Sequence, residues 1–240
     1  MHLIYDKKSL SVNSKSLVDF EKLYTEGFPD KNEREEFGLI KQRIAGEKSA
    51  YEPNSIILLA LVDSEVAGGL IVDWYAGSGA IHLTYIIVAP TYRKMGLGKT
   101  LIVDGIPEIK NWIKEEKGIQ IRNVFFESNN PDETTNDNFD PNKRLKIFSK
   151  LGAKRIDIPY VQPALDPQRK PVTNLFLLTF PQFNTLSDKI LSDDIVAFLE
   201  EFYEGLGVTN PSQNNDFQNI ISKLNETRDK NNCVPLIDLP

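Results

Sequence analysis

The residues best equipped for chemistry lie in one contiguous stretch, Tyr85-Ile86-Ile87-Val88-Ala89-Pro90-Thr91-Tyr92-Arg93-Lys94-Met95-Gly96-Leu97-Gly98-Lys99-Thr100-Leu101. An apolar run ends at Pro90, a basic turn follows, and two glycines one residue apart open a helical pattern. Glycines there let a ligand approach the main chain and leave amide N–H groups bare. A helix start adds more N–H groups and a partial positive charge. Arg93, Lys94 and Lys99 contribute full charges. The stretch is a seat for a phosphate or pyrophosphate. Spacing separates the ligand classes. A Walker A loop ends as Gly98-Lys99-Thr100 does, but its first glycine falls on Arg93. A dinucleotide fingerprint fits Gly96 and Gly98 but requires a third glycine where Leu101 stands. The pattern Arg/Gln-x-x-Gly-x-Gly/Ala is met in full by Arg93, Gly96 and Gly98.

At these residues the sequence resembles the GNAT superfamily of acyl-CoA N-acyltransferases, and Ile86-Ile87-Val88-Ala89-Pro90 resembles that family's fourth strand. The resemblance implies acetyl-CoA as co-substrate, with no metal. It implies that Ile87 and Val88 meet the pantetheine arm through backbone groups. It also implies that Arg93, Lys94, Met95, Gly96, Leu97, Gly98, Lys99 and Thr100 wrap the pyrophosphate. A second match follows the family's Asn-x-x-Ala-x-x-Leu/Phe-Tyr-x-x-x-Gly-Phe, with Asn142, Phe148 and Gly152 in place. By that match Asn142 joins the cofactor-binding set. Ser149 stands where the family's tyrosine, often its general acid, is usual, and Ala153 replaces the terminal Phe; the acid role is not carried over. The resemblance spans Leu17 to Phe180 and implies an N-acetyltransferase acting on a small-molecule amine. Tyr160-Val161-Gln162-Pro163 and the C-terminal helical patterns resemble a longer bacterial subgroup.

An amine with a pKa near 10 is mostly protonated at neutral pH, so a base is useful before attack on a thioester. His82 shares a strand face with Thr84, Ile86 and Val88 by the period of two, and the resemblance places a base at that strand position. Its unperturbed pKa of about 6.5 suits the task. Glu127 follows Phe125-Phe126 near a strand end, where partial desolvation favours a base of useful strength. Each has a plain alternative, a hydrogen-bonded structural histidine and an ordinary strand-end carboxylate. Asp73, Trp74 and Tyr75 are expected to line an acceptor cleft or to belong to the core. Tyr85, Tyr92 and Tyr160 are open choices for protonating the leaving thiolate.

These residues need elements to hold them. Leu17, Phe20, Leu23, Tyr24 and Phe28 predict a helix over Ser16–Gly27, and Phe37, Ile40, Lys41 and Ile44 a second over Asn32–Ala45. Three strands follow in series, Ser55–Val62, Val66–Tyr75 and Ala80–Val88. Gly98–Lys117 is helical in pattern, and Pro107 predicts a kink or break near Gly105-Ile106. A strand over Ile119–Ser128, a polar loop over Asn129–Asp140, a helix over Pro141–Leu151 and closing strands over Ala153–Tyr160 and Asn174–Phe180 complete the pattern. Asp188–Leu206 and Asp216–Lys230 predict two more helices. The fold class is α/β (α+β): a mixed, mostly antiparallel sheet flanked by helices, with a C-terminal helical extension. Domains are expected at 1–184 and 185–240, the extension packing on the core. From Thr185 onward ten acids face four bases, a net of −6, so the extension carries all the charge of a chain that is −6 overall.

That acidity argues against a nucleic-acid binder. The one cysteine, Cys233, excludes an intrachain disulfide and a Cys-rich zinc site, and His2 and His82 are too few for a histidine-rich one. The longest apolar run, Ile56–Val62, is far short of the roughly 18–20 residues that span a bilayer, and the first residues lack a signal-peptide order. A cytoplasmic enzyme without a membrane partner is expected. The alternative is a CoA-binding or interaction module with degenerate catalysis.

Overall fold

The computed structural model describes residues 2–5, 14–29, 34–134, 139–165 and 168–240. Contacts along the chain divide it into two units: Met1–Trp74 with Leu83–Gln120, and Tyr75–His82 with Ile121–Pro240. The strands form a mixed, mostly antiparallel sheet flanked by helices, an α/β fold.

In the first unit, β1 (His2–Tyr5) pairs antiparallel with β2 (Asn54–Val62), which pairs antiparallel with β3 (Glu65–Tyr75). β1 was not among the expected strands. Ser55–Ala60 is buried without a break, as an apolar run with no polar face requires. Asp63 and Ser64 turn the β2–β3 hairpin with φ of 49° and 67°, left-handed values suited to a two-residue turn. β4 (Ala80–Val88) follows β3 in the sheet. Its Ile87 carbonyl lies so close to Gly68 that a Cβ there would come within 2.4 Å of the oxygen, so only glycine fits.

Helices α1 (Ser14–Gly27) and α2 (Phe37–Ala45) cover one sheet face. Leu17, Phe20 and Tyr24 pack with Phe37, Ile40 and Ile44 against Ile57, Leu59, Ile71, Tyr85 and Ile87. The expected start of α2 at Asn32 lies outside the described residues, as do 135–138 of the polar loop. Beneath α2, buried Arg43 donates to both Glu35 carboxylate oxygens at 2.9 and 2.8 Å and to Ser55 Oγ at 2.8 Å. Ser55 in turn donates to Asp73 at 2.5 Å. Asp73, Trp74 and Tyr75 are buried core residues, each no more than 5 % exposed.

After β4 come α3 (Leu97–Thr100), a π-helical turn (Leu101–Gly105) and α4 (Ile106–Lys117). The irregularity expected from Pro107 is this turn. It sits just before the proline, which is the second residue of α4.

In the second unit, β4 pairs in parallel with β5 (Asn123–Asn129) over Ala80–His82. The remaining elements are α5 (Pro141–Lys150), β6 (Lys154–Ile156), β7 (Leu175–Thr179), β8 (Lys189–Leu191), α6 (Ser192–Gly205), α7 (Asn215–Thr227) and β9 (Cys233–Asp238). β5–β7, β6–β7, β6–β9 and β8–β9 are antiparallel. The C-terminal segment is therefore helical in α6 and α7 and also adds two strands, and Cys233 is buried in one of them. Ile190, Ile195, Phe198, Leu199 and Phe202 share a core with Tyr75, Phe125, Ile156 and Tyr160. Polar ties hold α6 to the β3–β4 hairpin: Glu201 accepts the Gly77 and Ser78 N–H groups at 3.0 and 2.7 Å. Asp194 accepts from Asn123 at 2.9 Å. Among the described residues, no helix is long and apolar enough to cross a membrane.

Candidate active site

The parallel ladder to β5 takes up the first three residues of β4, Ala80–His82. At the end of the strand the Ala89 N–H bonds back to the Ala67 carbonyl at 2.9 Å. The Ile87 carbonyl also faces β3, at Gly68, and the Ile87 side chain packs beneath α1. Val88 is turned the other way: its carbonyl accepts from Arg93 Nε at 3.3 Å. Of the two residues expected to present backbone groups to a ligand, Val88 has the suitable orientation.

The loop that follows is short and tightly wound. Pro90–Tyr92 forms a single 3-10 turn, Lys94 adopts φ of 71°, and Gly96 adopts φ of 79° as the residue before α3. A non-glycine residue in the left-handed region is uncommon, and such strain concentrates at ligand-binding turns. The first i→i−4 bond of the helical stretch runs from the Thr100 N–H to the Gly96 carbonyl at 3.1 Å. Leu97, Gly98 and Lys99 therefore stand in a first turn, where N–H groups have no intrahelical acceptor. Arg93, Lys94, Met95, Gly96 and Lys99 are exposed, while Leu97, Gly98 and Thr100 are half-buried. Three cations and a row of amide donors converge on a stretch from Arg93 to Thr100 that contains no acid.

A separate cluster is built in the second unit. Alternation along β5 places Phe125 and Glu127 on one face and Val124, Phe126 and Ser128 on the other. Phe125 stacks on Phe198 of α6 with centroids 4.4 Å apart, and Phe126 stacks on Phe180 at 4.6 Å. His82 Nε2 lies 3.5 Å from Glu127 Oε2, so the two residues singled out separately in the sequence are neighbours. Phe202 meets the His82 ring edge-on at 5.1 Å, and Phe198 approaches it at 6.0 Å. Tyr160 donates its hydroxyl to the other Glu127 oxygen, Oε1. Burial, and then the Glu127 charge, hold that hydroxyl well above the usual tyrosine range, so it stays protonated. Exposure differs within the cluster: the Glu127 side chain is 16 % exposed and that of His82 4 %.

The other expected candidates are placed elsewhere. Tyr85 is buried under α1 and α2, where its hydroxyl accepts the Glu35 N–H at 3.1 Å. Burial first, and then Glu35, pushes its pKa up to about 12. Tyr92 reaches Glu65 at 3.3 Å on the surface. Asn142 is exposed at the start of α5, its N–H given to the Asp140 cap at 3.0 Å. Ser149 Oγ is 3.5 Å from the Leu239 carbonyl. Tyr203 of α6 went unnoticed in the sequence, although it lies one helical turn beyond Leu199 on the apolar stripe; its hydroxyl donates to the Val161 carbonyl at 2.7 Å.

Residues 17–131 match the model of the acetyltransferase (GNAT) family. Among solved structures, a putative GNAT-family acetyltransferase from Bacteroides thetaiotaomicron is similar over 75% of this chain and 85% of its own, with 14% identity and a TM-score of 0.54. A GNAT family acetyltransferase from Elizabethkingia anophelis with acetyl-CoA bound covers 66% of this chain and 88% of its own, at 18% identity and a TM-score of 0.39. No curated protein matches the chain. The first of these similarities gives the fold, and the family match covers the segment from α1 through β5.

Proposed function

We propose that this protein transfers an acetyl group from acetyl-CoA to the amine of a small molecule by direct attack, as a cytoplasmic N-acetyltransferase. The observation that carries the reading is the Arg93–Thr100 loop, with its left-handed Gly96, exposed cations and first-turn amides. It suits the pyrophosphate of CoA, and the Val88 main chain suits the pantetheine arm. Asn142 belongs to the same cofactor set by the family pattern. CoA supplies the activated acyl thioester; the residues of this chain bind it and manage the proton.

Glu127 is the base that meets the amine, because its side chain is the more exposed of the pair. It takes the ammonium proton directly or through one water, and His82 backs it. The neutral amine attacks the thioester carbonyl and forms the C–N bond, and a strand N–H near Val88 holds the oxyanion of the tetrahedral intermediate; as the C=O re-forms the C–S bond breaks, and the remaining proton on the nitrogen passes through water to the departing thiolate. A second reading, CoA binding without turnover, is favoured by one observation: Ser149 occupies the usual tyrosine position and is engaged with Leu239.

The test is thiol release from acetyl-CoA with spermidine, tyramine and glycinamide as amine probes, alongside calorimetry with CoA. Acetylation of a probe supports the enzyme. CoA binding without thiol release from any probe supports the second reading. Absence of CoA binding sinks both.

A further inference from the structure

A carboxylate at the end of a glutamate turns easily about its last torsion, which is broad and roughly two-fold. Glu127 is held at both oxygens: Oε1 accepts the Tyr160 hydroxyl and Oε2 faces His82 at 3.5 Å. Both holders depend on the C-terminal segment. Tyr160 sits in the chain after β6, and the next residue, Val161, is pinned by the Tyr203 hydroxyl of α6 at 2.7 Å. The same stretch is closed by the Tyr160 N–H to Ile158 at 2.8 Å and by paired Gln162–Val172 bonds at 2.9 Å. His82 is packed by Phe198 and Phe202 of the same helix. We propose that Tyr203 and Tyr160 are positioning residues through which α6 aims the Glu127 carboxylate.

This rests on the reading of Glu127 as the base. The groups that face the cluster are His82 from β4, Tyr75 from β3, Tyr160, Tyr203 from α6 and, beside Tyr203, Asp216 from α7. Tyr160 and Tyr203 are both held well above the usual tyrosine range, chiefly by burial, so at neutral pH each remains a donor. A hydroxyl that only donates fixes a carboxylate and draws off part of its charge. Two tyrosines that merely filled the core would not couple to the histidine on the far oxygen.

The chain has two histidines, so the ring signals of His82 can be followed by NMR beside those of His2 alone. The full-length protein and its Glu127→Gln, Tyr160→Phe and Tyr203→Phe variants are titrated, with melting temperatures recorded for each. Glu127→Gln removes the negative charge at 3.5 Å and moves the His82 midpoint down. Tyr160→Phe frees the carboxylate to act more strongly on the imidazolium and moves it up. Tyr203→Phe moves it up by less. In thiol release from acetyl-CoA with spermidine, tyramine and glycinamide, both tyrosine variants lower kcat, leave KM for acetyl-CoA unchanged and shift the acidic limb of the rate profile to higher pH. If Tyr160→Phe does not fold, Tyr203→Phe alone decides. Midpoints equal to wild type, or moved in the Glu127→Gln direction, overturn the proposal. A wild-type protein that releases no thiol with any probe counts against the proposed function, while the His82 midpoints still decide the positioning.

Discussion

Gly96 and Gly118 make a matched pair for testing the cofactor seat. Both are glycines with left-handed backbones, φ of 79° and 70°, and a Cβ added at either would find nothing within 4 Å. Gly96 opens α3 in the proposed pyrophosphate loop, whereas Gly118 ends α4, its N–H bonded to the Lys114 carbonyl at 3.0 Å. An L-residue in this region costs roughly 1–2 kcal/mol. Gly96→Ala and Gly118→Ala should therefore destabilise alike, lowering Tm by about 2–8 °C in a chain of this size. Their effects on the ligand should part. At Gly96 the new methyl projects into open space on the loop and pushes a phosphate off the amide donors. One lost hydrogen bond to a charged group is worth about 1.5–3 kcal/mol, so CoA affinity should fall at least roughly tenfold. Calorimetry with CoA and thermal melts on both variants give the four numbers needed. If Gly96→Ala binds CoA as the wild type does, or Gly118→Ala loses affinity equally, the loop is a plain strand-to-helix turn and the seat lies elsewhere.

At Gly68, alanine would set its Cβ 2.4 Å from the Ile87 carbonyl oxygen, a backbone atom that cannot swing away. Urea melts should show a loss of about 1–3 kcal/mol, typical of overpacking; an unchanged midpoint would mean that the β3–β4 approach is looser than described. Glu127→Gln keeps an acceptor for Tyr160 but removes the base, so kcat should fall about 10²-fold or more with CoA affinity intact, and an unchanged rate would move the role to water. Alkaline stability follows from Tyr85, whose pKa rises from 10.0 to about 12 on folding. The folded state binds the proton more tightly, so its contribution is full below pH 10, shrinks as pH rises through that window and is gone above about 12. Urea midpoints should decline across it, and less steeply in Tyr85→Phe; parallel slopes would refute the assignment.

The turn proposed as a phosphate seat was legible because everything that makes it is contiguous. A strand end, two glycines and three cations within a dozen residues need no tertiary information. β2 was legible for a similar reason, since an apolar run with no polar face must be buried on both sides. The His82–Glu127 cluster was only half legible. His82 and Glu127 could be named one at a time, from strand parity and an aromatic neighbourhood, but nothing local says that they touch. The Tyr160–Glu127 bond spans 33 positions and the Tyr203–Val161 bond 42, beyond any periodic signal. The stripe on α6 was visible, but the surface it covers was not. β8 and β9 escaped notice because one is three residues long and abuts a helix, and the other carries Pro235 and a polar end. Strand β5 begins at Asn123, not near Ile119, because Gly118 ends α4 in a left-handed turn.

The substitution at Ser149 and the C-terminal segment bear on one another. The family pattern puts a tyrosine there, often the acid for the leaving thiolate. In this chain the position holds a half-buried hydroxyl directed at the Leu239 carbonyl, one residue past the end of β9. A phenol would have to share that space with Leu239. On the proposed mechanism its loss is tolerable. A thiol with a pKa of about 8.5 leaves as a thiolate with little assistance at neutral pH, unlike an alkoxide. The proton that Glu127 takes from the amine is also held on a side chain 16 % exposed, from which water can carry it away. The same segment that closes over Ser149 supplies the Phe198, Phe202 and Tyr203 contacts around the Glu127 cluster. On the proposed mechanism, the C-terminal segment thus occupies the place of one catalytic group while fixing the geometry of another.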